Sequence, residues 1–147
     1  MNQTEEINER NRQLIAEFRE GAVRARGGGG AFSSPVLLLT TTGAKSGRRR
    51  TNPLRYLAEN GRIFVCASFQ GSANHPDWYH NLVANPRVAV EIGAETYEAE
   101  AKLVTGAERD RLYRKQCEQA PQFADYAKRT TRVIPVVELI RLRGGGV

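Results

Sequence analysis

Histidine and cysteine are scarce in this chain, with two of each among 147 residues. The two histidines, His75 and His80, have no cysteine or carboxylate at a spacing that completes a tetrahedral ligand set, which excludes a zinc centre. Cys66 and Cys117 stand far apart with no framework around them, so both thiols are expected to be reduced and the chain cytoplasmic. No Gly-x-Ser-x-Gly element and no convincing Cys–His pair are present, which leaves hydrolysis by a covalent nucleophile without support. No apolar run approaches the ~20 residues that span a bilayer. The opening stretch MNQTEEINERNRQLIAEF is charged throughout and lacks the apolar centre of a signal peptide.

What is plentiful is positive charge, and it is concentrated. The net charge is +6, yet residues 1–26 hold five acids and five bases that cancel. Residues 41–55 hold Lys45, Arg48, Arg49, Arg50 and Arg55 with no acid at all. A patch of that density suits an anionic ligand better than general solubility.

Periodicity divides the chain into an N-terminal piece, residues 1–30, and a β-rich domain, residues 31–147. Ile7, Leu14, Ile15, Phe18 and Ala22 recur at helical spacing and predict a helix over 4–25, closed by the four-glycine linker 27–30. Its charged face mixes both signs, and its counterpart stays open between a partner, a membrane surface and the domain itself. Strands are predicted over 36–42, 54–57, 63–67, 88–92, 96–104 and 133–142. The Asn60-Gly61 pair marks a hairpin, and Pro135 implies an edge or bulge. Helices are predicted over 77–84, from a Thr105-x-x-Glu108 capping box to about residue 119, and over 121–132. About six strands, mostly hairpin-linked, with inserted helices read as an α+β fold built on an antiparallel barrel; strict βαβ alternation is missing.

Two segments carry chemistry. Gly43-Ala44-Lys45-Ser46-Gly47-Arg48-Arg49-Arg50-Thr51-Asn52-Pro53-Leu54 follows a strand, and its glycines allow close backbone approach while Lys45, Arg50, Ser46 and Thr51 offer donors to phosphate. The same composition also suits a solvated basic turn. The second segment runs from Ala67-Ser68-Phe69 through Pro76-Asp77-Trp78-Tyr79-His80-Asn81-Leu82, a strand exit leading into an aromatic helix that could face a planar ring. Trp78 serves equally well as a core anchor. With no acid–base or metal machinery of its own, the chain would need a cofactor for redox work.

Together the two segments resemble the deazaflavin-dependent nitroreductase family, whose members show Gly-x-Lys-Ser-Gly-x-x-Arg, then Asn-Pro-Leu, and later Pro-x-Trp-Tyr-x-Asn-Leu and Ala-Asn-Pro. Here these are Gly43, Lys45, Ser46, Gly47, Arg50, Asn52, Pro53 and Leu54, then Pro76, Trp78, Tyr79, Asn81, Leu82, Ala84, Asn85 and Pro86. The resemblance covers roughly residues 36–142. It implies a split β-barrel and coenzyme F-420, an 8-hydroxy-5-deazaflavin with a phosphate and glutamates in its tail. By the same resemblance Lys45, Ser46, Gly47, Arg50 and Thr51 hold the phosphate. Asn52, Pro53, Leu54, Cys66, Ala67, Ser68 and Phe69 line the ring, and Asp77, Trp78, Tyr79 and Asn81 close the pocket. The implied reaction is hydride transfer to a small electron-poor acceptor such as a quinone, nitroaromatic or activated alkene.

The chain departs from the family at the acceptor wall, where Ala120 and Phe123 stand in place of tyrosines and only Tyr126 matches. Phe69 replaces a frequent lysine. These losses favour a flat apolar acceptor such as a quinone, with Tyr126 or Ser68 as the remaining donor. Two other readings stay in view. FMN on the same barrel explains less of the basic stretch, because it has no polyglutamate tail. A nucleic-acid module is disfavoured because no aromatic residue interleaves with the basic run. Barrels of this type often pair, so a homodimer is a further expectation.

Overall fold

A computed structural model describes residue 9 and residues 12–16, 36–68, 75–93 and 95–142. Residues 12–16 are helical, as expected. The rest of the stretch 4–25 expected to be helical, the glycine linker and the proposed boundary at residue 30 lie outside the described residues, as does Phe69.

Seven strands form one antiparallel sheet: β1 (Val36–Thr42), β2 (Arg49–Arg55), β3 (Leu57–Glu59), β4 (Arg62–Cys66), β5 (Arg87–Ile92), β6 (Glu95–Val104) and β7 (Val136–Arg141). Three helices are inserted, α1 (Asp77–Ala84), α2 (Gly106–Gln119) and α3 (Gln122–Lys128). The sheet order is β2-β1-β5-β6-β7-β4-β3. Its two edge strands, β2 and β3, are consecutive in the chain and joined through Tyr56 alone. A sheet whose opposite edges share a covalent link must curl upon itself. This is a split barrel, closed by the backbone rather than by a final hydrogen-bonded ladder.

The count of seven rather than six comes from that junction. The stretch expected as one strand, 54–57, breaks at Tyr56 into the end of β2 and the start of β3. Strand β2 also begins well before residue 54, because Thr42 pairs with Arg49 and the ladder runs back through the basic segment. Strand β7 starts after Pro135 and lies between β6 and β4, so this proline sits ahead of a central strand rather than on an edge. The hairpin turn at Asn60 (φ 52°) and Gly61 (φ 79°) takes the two left-handed residues that such a turn requires.

Alternation along the strands gives the sheet two buried faces. Leu37, Leu39, Leu54, Tyr56, Val65 and Val137 point inside the curl, where Trp78 and Leu82 of α1 plug the core. Leu57, Phe64 and Val136 point outward beneath Leu112 and Tyr113 of α2 and Phe123 of α3. Phe64 is fully buried in that outer core, and its removal would cost about 3–5 kcal/mol. Ion pairs fix α2 over the β3–β4 hairpin. Glu59 accepts two hydrogen bonds from Arg111, both at 2.8 Å, and one from Lys115 at 2.9 Å. These bonds hold the Glu59 carboxyl at about 2, well below the ordinary carboxylate value.

The expected capping box does not form. Thr105 makes no side-chain cap bond to α2, and the Glu108 carboxylate turns instead to Arg62 at 3.3 Å. A tertiary ion pair outcompetes the local cap. Helix α3 also ends earlier than its pattern suggested, at Lys128.

Candidate functional site

The strand registers gather one set of chain ends at a single rim of the barrel. Thr42 and Arg49 lie there as partners, with the start of β5, the end of β6, the start of β7 and Cys66 at the end of β4. The two segments singled out in the sequence therefore meet, because both the turn 43–48 and the exit 66–68 leave the sheet at this rim.

The turn is a compact unit. The Gly43 amide donates to the Arg48 carbonyl at 2.7 Å and the Gly47 amide to the Gly43 carbonyl at 3.0 Å. Ser46 accepts from the Arg48 amide through Oγ at 3.1 Å, so its hydroxyl shapes the turn. Gly47 has φ 71°, a conformation strained for any side chain. At Gly43 an added Cβ would lie 2.5 Å from Ser46 Oγ and 3.2 Å from the Arg48 carbonyl. The fold of the turn therefore requires both glycines.

Lys45, Arg48, Arg49 and Arg50 are exposed on this turn and its outgoing strand, and among the described residues no acid pairs with any of them. Elsewhere the chain neutralises its cations freely: Arg62, Arg87, Arg109, Arg111, Lys115 and Arg141 all meet carboxylates. Concentrated, unpartnered positive charge at one rim is what a polyanionic ligand needs.

Helix α1 is bolted to the turn by its asparagines. Asn81 Oδ1 accepts from the Ala44 amide at 3.0 Å, while its Nδ2 donates to Thr41 Oγ1 at 3.1 Å. Asn85 Nδ2 donates to the Thr42 carbonyl at 3.3 Å. Asn81 thus acts on the turn through its amide, and its 9% exposure leaves little surface for direct contact. Trp78 is a core plug at 6% exposure, Ala67 is fully buried, and Leu54 packs into the inner core. Burial pushes the Cys66 thiol up to about 12, which keeps it protonated and inert. Asp77 is exposed in the first turn of α1, and Tyr79 is half-buried beside it.

The exit of β4 is held by a residue the sequence reading passed over. Arg132 donates to the Ser68 carbonyl at 2.6 Å, to the Ala67 carbonyl at 3.1 Å and to His75 Nδ1 at 2.9 Å. It therefore ties the end of the strand to the residues that lead into α1. Burial first, and then the charges of Arg132 and His80, hold His75 below the ordinary histidine value, so its neutral form with a bare Nδ1 is the one that fits. No local pattern marks Arg132, because its partners lie about 60 residues away in sequence. Beside His75 and Tyr79 a cavity of about 340 Å³ opens against the end of β6, the start of α2 and Val133. Of the site residues expected from the sequence, Tyr79 alone among the described ones lines it.

Strand β2 leads from the cationic turn to the acceptor-side candidate. Register and alternation put Arg49, Thr51, Pro53 and Arg55 on the outer face, continuing into Leu57. Thr51 Oγ1 lies 2.8 Å from Thr40 Oγ1. Tyr126 packs against the outer core, with its ring 5.2 Å from that of Phe123. Among the described strands β2 is an edge strand and pairs only with β1. The structure thus places Lys45, Ser46 and Gly47 on the turn, Thr51 and Pro53 on one face of β2 and Arg50 and Asn52 on the other, with Tyr126 on the outer cluster, while the side chains of Cys66, Ala67 and Trp78 stay in the cores.

Comparison with known proteins agrees with this architecture. The sequence pattern of the family described as F420H(2)-dependent quinone reductase matches residues 15–140. The F420H(2)-dependent quinone reductase Rv1261c of Mycobacterium tuberculosis is 41% identical over 102 residues, covering 67% of this chain and 68% of the relative. A solved structure of an F420-H2 dependent reductase, FDR-A, superposes with a TM-score of 0.66 at 40% identity, covering 71% of this chain and 93% of that one. Another solved chain, described as a domain-swapped dimer, is 35% identical with a TM-score of 0.66, covering 87% of this chain and 98% of that one. A haem storage protein from Vibrio cholerae shares the fold alone, at 17% identity and a TM-score of 0.60 over 90% of each chain. The chain belongs to the F420H(2)-dependent quinone reductase family.

Proposed function

We propose that this protein reduces a small quinone with a hydride taken from reduced coenzyme F-420. The carrying observation is the rim itself: four cations with no acidic partner among the described residues stand on a turn and the edge strand that leaves it. The residues fit the coenzyme, since its tail is polyanionic and the turn offers charge without internal competitors. When bound, the deazaflavin supplies a two-electron hydride donor, as a nicotinamide would.

The chain's own groups then bind and orient. Lys45 and Arg50 grip the tail, with Gly43 and Gly47 shaping the backbone that presents them. Thr51, Asn52, Pro53 and Leu54 line the ring along β2, the backbone offering its open edge. Asp77 and Tyr79 border the rim from α1, whose Asn81 fixes the turn from behind. Ser68 and Tyr126 are the candidate hydroxyl donors toward the acceptor. FMN carries one phosphate and no such tail, so it would leave most of the cationic rim unused.

The family relatives named for quinone reduction support the acceptor class. The domain-swapped relative favours a homodimer, which sedimentation would test. Among the described residues no helix is long and apolar enough to cross a membrane, and the reduced thiols of Cys66 and Cys117 are in keeping with a cytoplasmic site.

Anaerobic mixing of the protein and reduced coenzyme F-420 with a naphthoquinone tests the reading. The expected result is rapid, protein-dependent return of the oxidised deazaflavin absorbance. A protein that binds FMN in preference, or shows no turnover with any quinone, would overturn it.

A further inference from the structure

The cavity beside His75 and Tyr79 is not taken up by the cationic turn, and its lining is largely apolar. Four large apolar side chains stand exposed among the described residues, and two of them, Leu103 at 44% and Val133 at 71%, line this space. Pro135 and the buried Val136 continue the wall. Apolar surface left exposed around a concavity is characteristic of ligand sites. Tyr79 and His75 add an aromatic pair to the lining, with ring centroids 4.6 Å apart. Ala120 and Phe123, by contrast, are buried in the outer core and offer an acceptor no open face.

His75 supplies the polar group. Its Nδ1 lies 2.9 Å from a guanidinium nitrogen of Arg132, and a guanidinium can only donate. Nδ1 must therefore accept, which places the ring proton on Nε2. We infer that this cavity is the acceptor site, where a quinone ring lies against Leu103, Val133 and Tyr79 while His75 Nε2–H donates to one of its carbonyl oxygens. The inference rests on the quinone-reductase reading above and gives its acceptor a place. A quinone is a flat hydrocarbon ring with acceptor oxygens and no donor of its own, so an apolar wall with a fixed donor matches it. At about 340 Å³ the cavity lies at the small end of ligand pockets, the size for a quinone head and not for a tricyclic coenzyme with a long tail. The quinone takes up a hydride from the reduced coenzyme and a proton from solvent, to which the coenzyme releases one proton; the products are hydroquinone and oxidised deazaflavin. His75 keeps its own proton throughout. Its hydrogen bond strengthens as the held oxygen gains negative charge, and that difference favours the transition state.

The test titrates protein loaded with oxidised coenzyme with a naphthoquinone methylated at both reactive ring positions, to which thiols do not add. Methyl NMR signals of Leu103 and Val133 should shift most. The double variant Leu103→Glu with Val133→Glu puts charge into the apolar lining at two exposed positions. It should weaken quinone binding about tenfold or more and leave coenzyme affinity and melting temperature unchanged. His75→Phe keeps a ring but loses the donor, and should weaken quinone binding about 2–10-fold, the scale of one neutral hydrogen bond. His75→Gln, whose amide can accept from Arg132 and donate onward, should recover part of that loss. If the shifts cluster elsewhere, or the double variant binds and reduces the quinone as wild type does, the acceptor site lies outside the cavity and the inference falls while the assigned reaction stands. If the double variant weakens coenzyme and quinone alike, the cavity belongs to the coenzyme and the inference falls as well. A quinone that binds here through His75 yet is never reduced would uphold the pocket and overturn the assigned reaction instead.

Discussion

The side-chain carbonyl of Asn81 accepts a hydrogen bond from the backbone amide of Ala44 at 3.0 Å, so the helix that plugs the barrel also sets the shape of the cationic turn. The other end of the same amide donates to Thr41, at 1% exposure. Helix, strand end and turn form one rigid piece. Replacing Asn81 with Leu should therefore weaken coenzyme binding about 5–30-fold, equivalent to about 1–2 kcal/mol for loss of a buried hydrogen-bonded amide. Melting temperature should fall too, because the Thr41 hydroxyl loses its partner. Isothermal titration and thermal melts measure both, and intact coenzyme affinity would mean that the turn keeps its shape unaided.

Gly43 makes a sharper point about space. Its missing Cβ would fall 2.5 Å from Ser46 Oγ and 3.2 Å from the Arg48 carbonyl. The hydroxyl can rotate away, but the carbonyl belongs to the backbone bond that closes the turn. Gly43→Ala should thus reduce coenzyme affinity more than it reduces stability. Adding Ser46→Ala, which removes the nearer obstacle, should recover part of the loss. Titrations of the single and double variants decide this; no recovery would show that the backbone clash dominates.

Arg132 and His75 give the fold a pH dependence of known sign. The folded state holds His75 below its ordinary value of 6.5, so the unfolded chain takes up the proton first as pH falls. Stability contributed by the neutral ring is present above about 6.5 and declines as pH drops toward the lowered folded value. Neighbouring Arg132 and His80 both oppose the imidazolium. Chemical denaturation from pH 7.5 to 5 should show a decline that His75→Gln reduces (about one histidine's worth of proton uptake). Identical slopes in the two proteins would remove His75 from the account.

Local signals in the sequence were strong for the strands, the Asn60-Gly61 turn and α1, where periodicity and turn chemistry act over a few residues. They were also sufficient to place the cationic turn, because four cations without an acid need no tertiary knowledge to be noticed. What stayed hidden depends on distant partners. Glu108 looked like a cap and became a partner of Arg62. Trp78 was open between a ring platform and a core anchor, since helical spacing alone does not say which face meets the barrel, and it packs in the core. Arg132 carried no local mark, because the carbonyl it holds lies 64 residues away. The split of one expected strand at Tyr56 was likewise invisible without the sheet order.

The central claim is that the exposed cations of the turn hold the anionic tail of a hydride-carrying coenzyme. It is tested most directly by equilibrium titration of wild type and Arg50→Ala with two ligands, intact coenzyme F-420 and the same deazaflavin ring without phosphate or glutamates. The variant should lose about 1.5–3 kcal/mol of affinity for the intact coenzyme, the scale of a charge-assisted hydrogen bond, with little change for the bare ring. The loss should shrink as salt is raised. Equal effects on both ligands, or none on either, would contradict the account.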